Sequence, residues 1–309
     1  MVAELPRLPS LPALPARPET LPGLVPGRTP APLPGRVPGA VPGATPGAVP
    51  GAARPAGFAP NAALVEREAL TADLAHIRIR PDAGVPAFKP GQYVSIGLPG
   101  PSGPVIRPYS IASAPGTPDV IELLIRRLDD GALTTRLWAM APGDRLWLGP
   151  VKGLFHLDPD HAPATPLLFL GAGTGLAPIM AMLGALAAQP AQRRPRATLI
   201  QGATHVDELA YQARLAAWAA DGWLRYLPTI SRPADPGNAR WSGATGRVET
   251  HVRGALEAFG TSPARVTAYL CGNDGMVGAG RAALQVAGVP EAGIRWESFT
   301  PVKPAGRAA

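Results

Sequence analysis

The residues best suited to chemistry fall into a few short clusters. Gly171, Gly173 and Gly175 recur at spacing two between the apolar run Leu167–Leu170 and a segment with Pro178 near its start. Glycines there permit a tight turn and close backbone approach, and proline is tolerated in a first helical turn, where its missing N–H is not needed. A strand, a glycine turn and a helix N-terminus together make a cradle for phosphate. On its own the motif also fits a turn that holds nothing. Earlier in the chain, Arg107-Pro108-Tyr109-Ser110 places a guanidinium and an aromatic ring two residues apart, hence on one face of a strand. Such a pair can grip a pyrophosphate and stack on a planar heterocycle, although alone it reads equally as a strand end with a surface arginine. Gly131-Ala132-Leu133-Thr134-Thr135 adds amides and two hydroxyls at the start of a helical stretch. Two phosphate-grade sites in one half fit a dinucleotide flavin better than a mononucleotide.

The elements that must hold these residues divide at about residue 163. Residues 61–162 read as short strands separated by Pro/Gly turns: Leu74–Ile79, Val94–Leu98, Val120–Ile125 and Leu146–Leu148, with one helix over Leu133–Met140. That pattern predicts a small antiparallel β-barrel. Residues 163–299 alternate strand and helix. Strands are predicted at Leu167–Leu170, Ala197–Gly202, Leu224–Ile230, Val266–Cys271 and Ile294–Phe299. Helices are predicted from Leu176 and over Glu208–Ala220, Val248–Phe259 and Met276–Ala287. This is the signature of a doubly wound parallel α/β sheet, in which ligands bind beyond the carboxyl ends of the strands. Those ends carry Gly171–Gly175, Thr204-His205, Ser231-Arg232, Cys271-Gly272 and Glu297–Phe299, so glycines, a guanidinium, a thiol, a carboxylate and an aromatic share one crevice.

Composition narrows the class. Residues 1–60 hold 16 of the 40 prolines in loose P-G-x-x repeats, predicting an extended, disordered tail rather than collagen or a secretory signal. Residues 300–309 form a short C-terminal extension. No run of about twenty apolar residues predicts a membrane span. The net charge of +7 reads as ordinary solvated surface or as a positive face for an acidic protein partner, and no groove-reading motif points to nucleic acid. A single cysteine among 309 residues excludes a four-cysteine iron–sulfur or zinc site and fits a reducing cytoplasm. The five histidines lack ligand spacing, so no metal is assigned. Cys271 could equally be a buried strand-end residue and Glu297 a surface carboxylate.

Six segments in order, F-K-P-G-Q-Y (88–93), R-P-Y-S (107–110), D-G-A-L-T-T (130–135), G-A-G-T-G-L-A-P (171–178), C-G-N-D-G-M (271–276) and E-S-F (297–299), give the chain its resemblance to the ferredoxin–NADP reductase family. The resemblance runs from about Ala63 to Phe299. It implies a six-stranded barrel that binds FAD and a second domain that binds NADP(H), working as a monomer with a ferredoxin or flavodoxin. By motif, Arg107 with Pro108 would hold the flavin pyrophosphate, assisted by Gly131, Thr134 and Thr135. Tyr109 would stack on the isoalloxazine and Ser110 approach its N5. Gly173, Thr174 and Gly175 would meet the nucleotide pyrophosphate. Cys271 and Glu297, with Ser110 the expected catalytic residues, would flank the nicotinamide, and Phe299 would cover the flavin. Ser231 and Arg232, with Arg247 beyond, lie where an adenosine 2′-phosphate is expected and favour NADPH. Where relatives often carry arginine this chain has Thr204-His205, and Asp207 nearby argues for NADH. The alternatives are an NADH-dependent reductase component of an oxygenase and a flavin-binding scaffold without turnover.

Overall fold

The computed structural model describes residues 58–158 and 161–299. The expectations for residues 1–57 and 300–309 lie outside the described residues.

The first half contains β1 (Ala62–Ala69), β2 (Leu74–Pro81), β3 (Tyr93–Leu98), β4 (Val105–Ser110), β5 (Ile121–Arg126), α1 (Thr134–Ala139) and β6 (Arg145–Leu148). The strands pair antiparallel in the order β4-β3-β6-β1-β2-β5, and a bridge between Ile111 and Leu123 brings the two edges together into a barrel. Its interior is lined by alternate residues such as Ile77, Ile79, Val94, Ile96, Leu123 and Ile125, as the two-residue period of a strand requires. β1 was not foreseen. Its A-A-L-V-E-R-E-A mixes charge into the strand and carries a register shift between Leu64 and Glu66. Phe58, inside the segment read as tail, is buried and packs on Trp147 at 5.6 Å between ring centroids.

The second half contains β7 (Leu167–Ala172), α2 (Leu176–Ala187), β8 (Ala197–Ala203), α3 (Gln212–Ala220), β9 (Leu224–Ile230), β10 (Ala244–Thr245), α4 (Val252–Glu257), β11 (Thr267–Gly272), α5 (Asp274–Val286) and β12 (Ile294–Ser298). The strands are parallel in the order β10-β9-β8-β7-β11-β12, so the order reverses at β7 and β11. Leu167 and Phe169 pack with α2 and α3 on one face, and Leu168 and Leu170 pack with α4 and α5 on the other. Burial on both faces is why these strands read as unbroken apolar runs.

Two predicted helices are split. Glu208–Ala220 is a 3₁₀ turn over Val206–Glu208 and then α3, separated by Tyr211 at φ 62°. Val248–Phe259 is a 3₁₀ turn over Val248–His251 followed by the six-residue α4. The short edge strand β10 was also missed, two residues being too few for any period to register. The two halves share a core: Leu74, Ala112 and Leu124 of the barrel cluster with Leu176, Met180, Leu183 and Leu215.

Candidate active site

A cavity of about 820 Å³ lies between the barrel and the carboxyl ends of β7, β8, β9 and β11. Pockets of this size ordinarily bind small molecules or cofactors.

The barrel wall is made by β4, β5 and the loop before α1. In β4, Arg107 and Tyr109 face Ile96 and Val94 of β3 in register, and both line the cavity with Pro108 and Ser110. Arg107 is exposed, and among the described residues Nη1 donates only to the neighbouring Ile106 carbonyl, at 2.8 Å, so the guanidinium is available to an anion. Burial pushes the Tyr109 phenol up, with Arg107 opposing the shift, and it stays neutral. The loop is closed from within: the Leu128 N–H donates to Thr134 Oγ1 at 3.1 Å. A Cβ on Gly131 would lie 2.2 Å from that oxygen. The Thr134 hydroxyl is therefore committed to its own loop, while Thr135 is exposed and does not line the cavity.

The sheet wall is built from backbone. Gly173 has φ 54° and nothing within 4 Å of where a Cβ would stand, leaving open space beside Thr174. A Cβ on Gly175 would lie 2.1 Å from the Cys271 carbonyl oxygen, so its hydrogen lets α2 begin against the end of β11. Pro178 occupies the third position of α2, where no N–H is required. Cys271 lies in register between Gly171 of β7 and Glu297 of β12 and is fully buried. Burial, and then the neighbouring Glu297, raise its thiol well above the ordinary range, making it a neutral packing surface. Gly272, Ser298 and Phe299 reach the cavity where Cys271, Glu297 and Gly175 do not. The Phe299 N–H donates to the Gly272 carbonyl at 2.9 Å, fixing the aromatic residue at the rim.

Ser110 and Glu297 meet where the two walls join. Burial raises the Glu297 carboxyl, and the nearby Ser110 hydroxyl partly offsets this. Ser110 Oγ and Glu297 Oε2 are each buried without a hydrogen-bond partner among the described residues. An unsatisfied buried oxygen is costly, and of the two only Ser110 lines the cavity, where a ligand group could relieve it.

At the far end, Ser231 and Arg247 line the cavity and are exposed, whereas Arg232 is exposed outside it. Several residues that order the site were not foreseen. Buried Asn238 donates to the carbonyls of Thr204 (3.1 Å) and Arg232 (2.8 Å) and accepts from Val206 N (2.9 Å), tying together the loops after β8 and β9. Arg126 spans the halves, bonding Asp73 at 2.6 Å and Glu208 at 2.9 Å. Glu208 also accepts the N–H groups of Thr204 (2.9 Å) and His205 (3.3 Å). The acid three residues after His205 is a capping signature that reading for it would have found. Arg126 and Glu208, 82 positions apart, carry no local signal. Among the described residues no group of three or more His, Cys, Asp or Glu side chains could hold a metal.

Residues 61–156 match the oxidoreductase FAD-binding domain model, and residues 169–281 match the oxidoreductase NAD-binding domain model. Ferredoxin–NADP reductase B of Sorangium cellulosum is 36% identical over 203 residues, covering 64% of this chain and 79% of that protein. The reductase subunit of an Amycolatopsis aromatic O-demethylase is 33% identical over 70% of this chain, which spans only 62% of that relative's length. Among solved structures, an Amycolatopsis cytochrome P450 reductase superposes with TM-score 0.68 at 27% identity, covering 79% of this chain and 70% of its own. A ferredoxin NADP+ reductase from Neisseria gonorrhoeae, with bound FAD and NADP, gives TM-score 0.64 at 26% identity, covering 77% and 97%.

Proposed function

The chain belongs to the ferredoxin–NADP reductase family of FAD- and NAD(P)-binding oxidoreductases, and from that premise we propose that it passes reducing equivalents between NADPH and a ferredoxin or flavodoxin. The observation that carries this reading is the single cavity in which Arg107, Tyr109 and Ser110 of the barrel face Gly173, Thr174 and Phe299 of the sheet. FAD bound there supplies hydride exchange with a nicotinamide and one-electron exchange with the carrier. In this reading residues 61–162 form the FAD-binding domain and 163–299 the NAD(P)-binding domain.

The chain's own groups bind, align and shield. Arg107 grips the flavin pyrophosphate by its free guanidinium, beside the amides of the Gly131 loop. Tyr109 and Phe299 offer flat apolar surfaces, one from each wall. Gly173 and Thr174 present backbone N–H groups to the nucleotide pyrophosphate, and Gly175 sets their position from below. Glu297, protonated to higher pH than an ordinary carboxylic acid, holds a proton beside Ser110 Oγ at the junction of the walls. Cys271 acts from beneath, as the packed floor that fixes Glu297. Ser231 and Arg247, with Arg232 near, supply hydroxyl and positive charge for a 2′-phosphate.

Stopped-flow reduction of the flavoprotein tests this. Cys271→Ala and Glu297→Ala are expected to retain flavin and slow reduction by NADPH about a hundredfold, the usual effect of misalignment near reacting atoms. Wild-type rates in both variants would remove the assignment. A higher kcat/KM for NADH than for NADPH would instead favour a reductase component serving an oxygenase, a reading nearer to the reductase subunit of the Amycolatopsis aromatic O-demethylase.

A further inference from the structure

A second concentration of buried polar groups, none of them lining the cavity, lies on the outer face of the barrel. Leu74, His76 and Arg78 of β2 alternate onto one face, beside Leu124 and Glu122 of β5 in register. Leu74 and Leu124 belong to the core shared with α2 and α3, so this face looks toward the second half. Into it the second half inserts Tyr211. Its ring stacks on His76 with centroids 4.3 Å apart and 29° between planes, and the Arg214 guanidinium lies 5.3 Å from its centroid. The hydroxyl sits beside Glu122, which is held by Arg78 at 3.2 Å and approached by Arg214 at 3.7 Å.

Two features are unusual for a packing tyrosine. Its φ of 62° is left-handed, a conformation that crowds any residue bearing a Cβ. Its hydroxyl, His76 Nε2 and Glu122 Oε1 are all buried without a hydrogen-bond partner among the described residues. Strain of this kind persists only where the surroundings over-determine it. Just before Tyr211 in the chain lies the segment Thr204–Glu208, in which Glu208 accepts the Thr204 and His205 amides and Thr204 and Glu208 line the cavity. That segment is pinned to the barrel twice: to β5 by Glu208 on Arg126, and, just beyond its end, to β2 by the Tyr211 ring stacked on His76. β5 leads directly into the loop that forms the opposite wall.

We propose that Tyr211 is a positioning residue for the nicotinamide nucleotide: its seat on His76 and Glu122 holds the Thr204–Glu208 wall of the cavity in register with the barrel wall. The proposal rests on the cavity's reading as a nucleotide site, and the experiment separates the two. Hydrogen exchange of the flavin-loaded full chain, without nucleotide, is followed over residues 204–208, and NADP+ binding is measured by calorimetry. Tyr211→Asn keeps a residue tolerant of the left-handed backbone but removes the ring. It is expected to speed exchange over 204–208 at least tenfold and weaken NADP+ at least fivefold, leaving flavin retention and exchange over 167–172 as in the wild type. Tyr211→Phe keeps the ring and loses only an unpartnered hydroxyl, so both quantities should stay within twofold. Unchanged exchange over 204–208, or exchange accelerated equally throughout the chain, overturns the proposal. If Tyr211→Asn does not fold, His76→Ala decides, since it removes the ring on which Tyr211 stacks, with at least threefold faster exchange over 204–208 expected and no change overturning the proposal. Failure of the wild type to bind NADP+ would remove the nucleotide reading and with it the positioning role.

Discussion

The two walls of the cavity hold a ligand by different means. The barrel wall offers side chains: a free guanidinium at Arg107, a half-buried ring at Tyr109 and an unpartnered hydroxyl at Ser110. The sheet wall offers main chain, with Gly173 open above and Gly175 pressed against the Cys271 carbonyl below. A side-chain wall is broken by truncation and a main-chain wall by addition. The first kind of change should cost ligand, and the second should cost the fold.

Gly175→Ala should be the most damaging. Gly175 has an ordinary helical φ of −61°, so alanine is not strained conformationally. Its Cβ would instead stand 2.1 Å from backbone oxygen, which cannot swing away. Overpacking of this sort costs about 3 kcal/mol, read as a lowered midpoint in chemical denaturation. An unchanged midpoint would mean that α2 does not abut β11 as described. Arg107→Ala follows. Losing a charge-assisted pyrophosphate contact should cost about 2 kcal/mol, or roughly thirtyfold in flavin affinity, with little change in the midpoint of the flavin-free protein. Flavin retained at wild-type level after gel filtration, or FMN found in place of FAD, would contradict this. Gly173→Ala inverts the Gly175 case, since space is free but φ is 54°. Only the left-handed penalty of about 1 kcal/mol applies, so the two glycine variants should differ clearly in one denaturation series.

The smallest effect is electrostatic and sits where the walls meet. The Glu297 carboxyl is raised above its ordinary value of 4.5, so between that value and its folded-state value the folded chain binds more protons than the unfolded one. Stability attributable to this group therefore falls as pH rises through that window. Glu297→Gln removes the dependence, and its melting temperature relative to wild type should climb as pH is raised from 4 toward neutrality. A difference that stays flat or falls would show that the carboxyl is not held in its protonated form.

The same contrast explains what the sequence disclosed. The sheet wall was legible because strands buried on both faces leave unbroken apolar runs, and because the glycines of 171–175 recur at fixed spacing before a tolerated proline. The parallel sheet and the crevice beyond the carboxyl ends of its strands followed from those runs, whereas the strand order did not. The barrel was legible from its turns, but β1 hid behind its charged residues. Apart from the Glu208 cap, the supports of the two walls could not be read. The Thr134 hydroxyl turns back to its own loop, Asn238 joins three backbone positions, and Arg126 meets Glu208 from far along the chain. Tyr211 breaks a helix that propensity runs straight through, because its backbone answers to His76 and Glu122 and not to its sequence neighbours. Contacts made by tertiary geometry leave no period and no spacing in a linear text.

The burial of Cys271 has a use of its own. It is the chain's one thiol and has no exposed surface, sealed between β7 and β12 beneath the start of α2. A thiol-specific label can therefore reach a single atom, and only when that strand end parts from its neighbours. The native chain thus carries a built-in clock: its labelling rate times the opening of the cavity floor, with no engineered probe and no second cysteine to confuse the count.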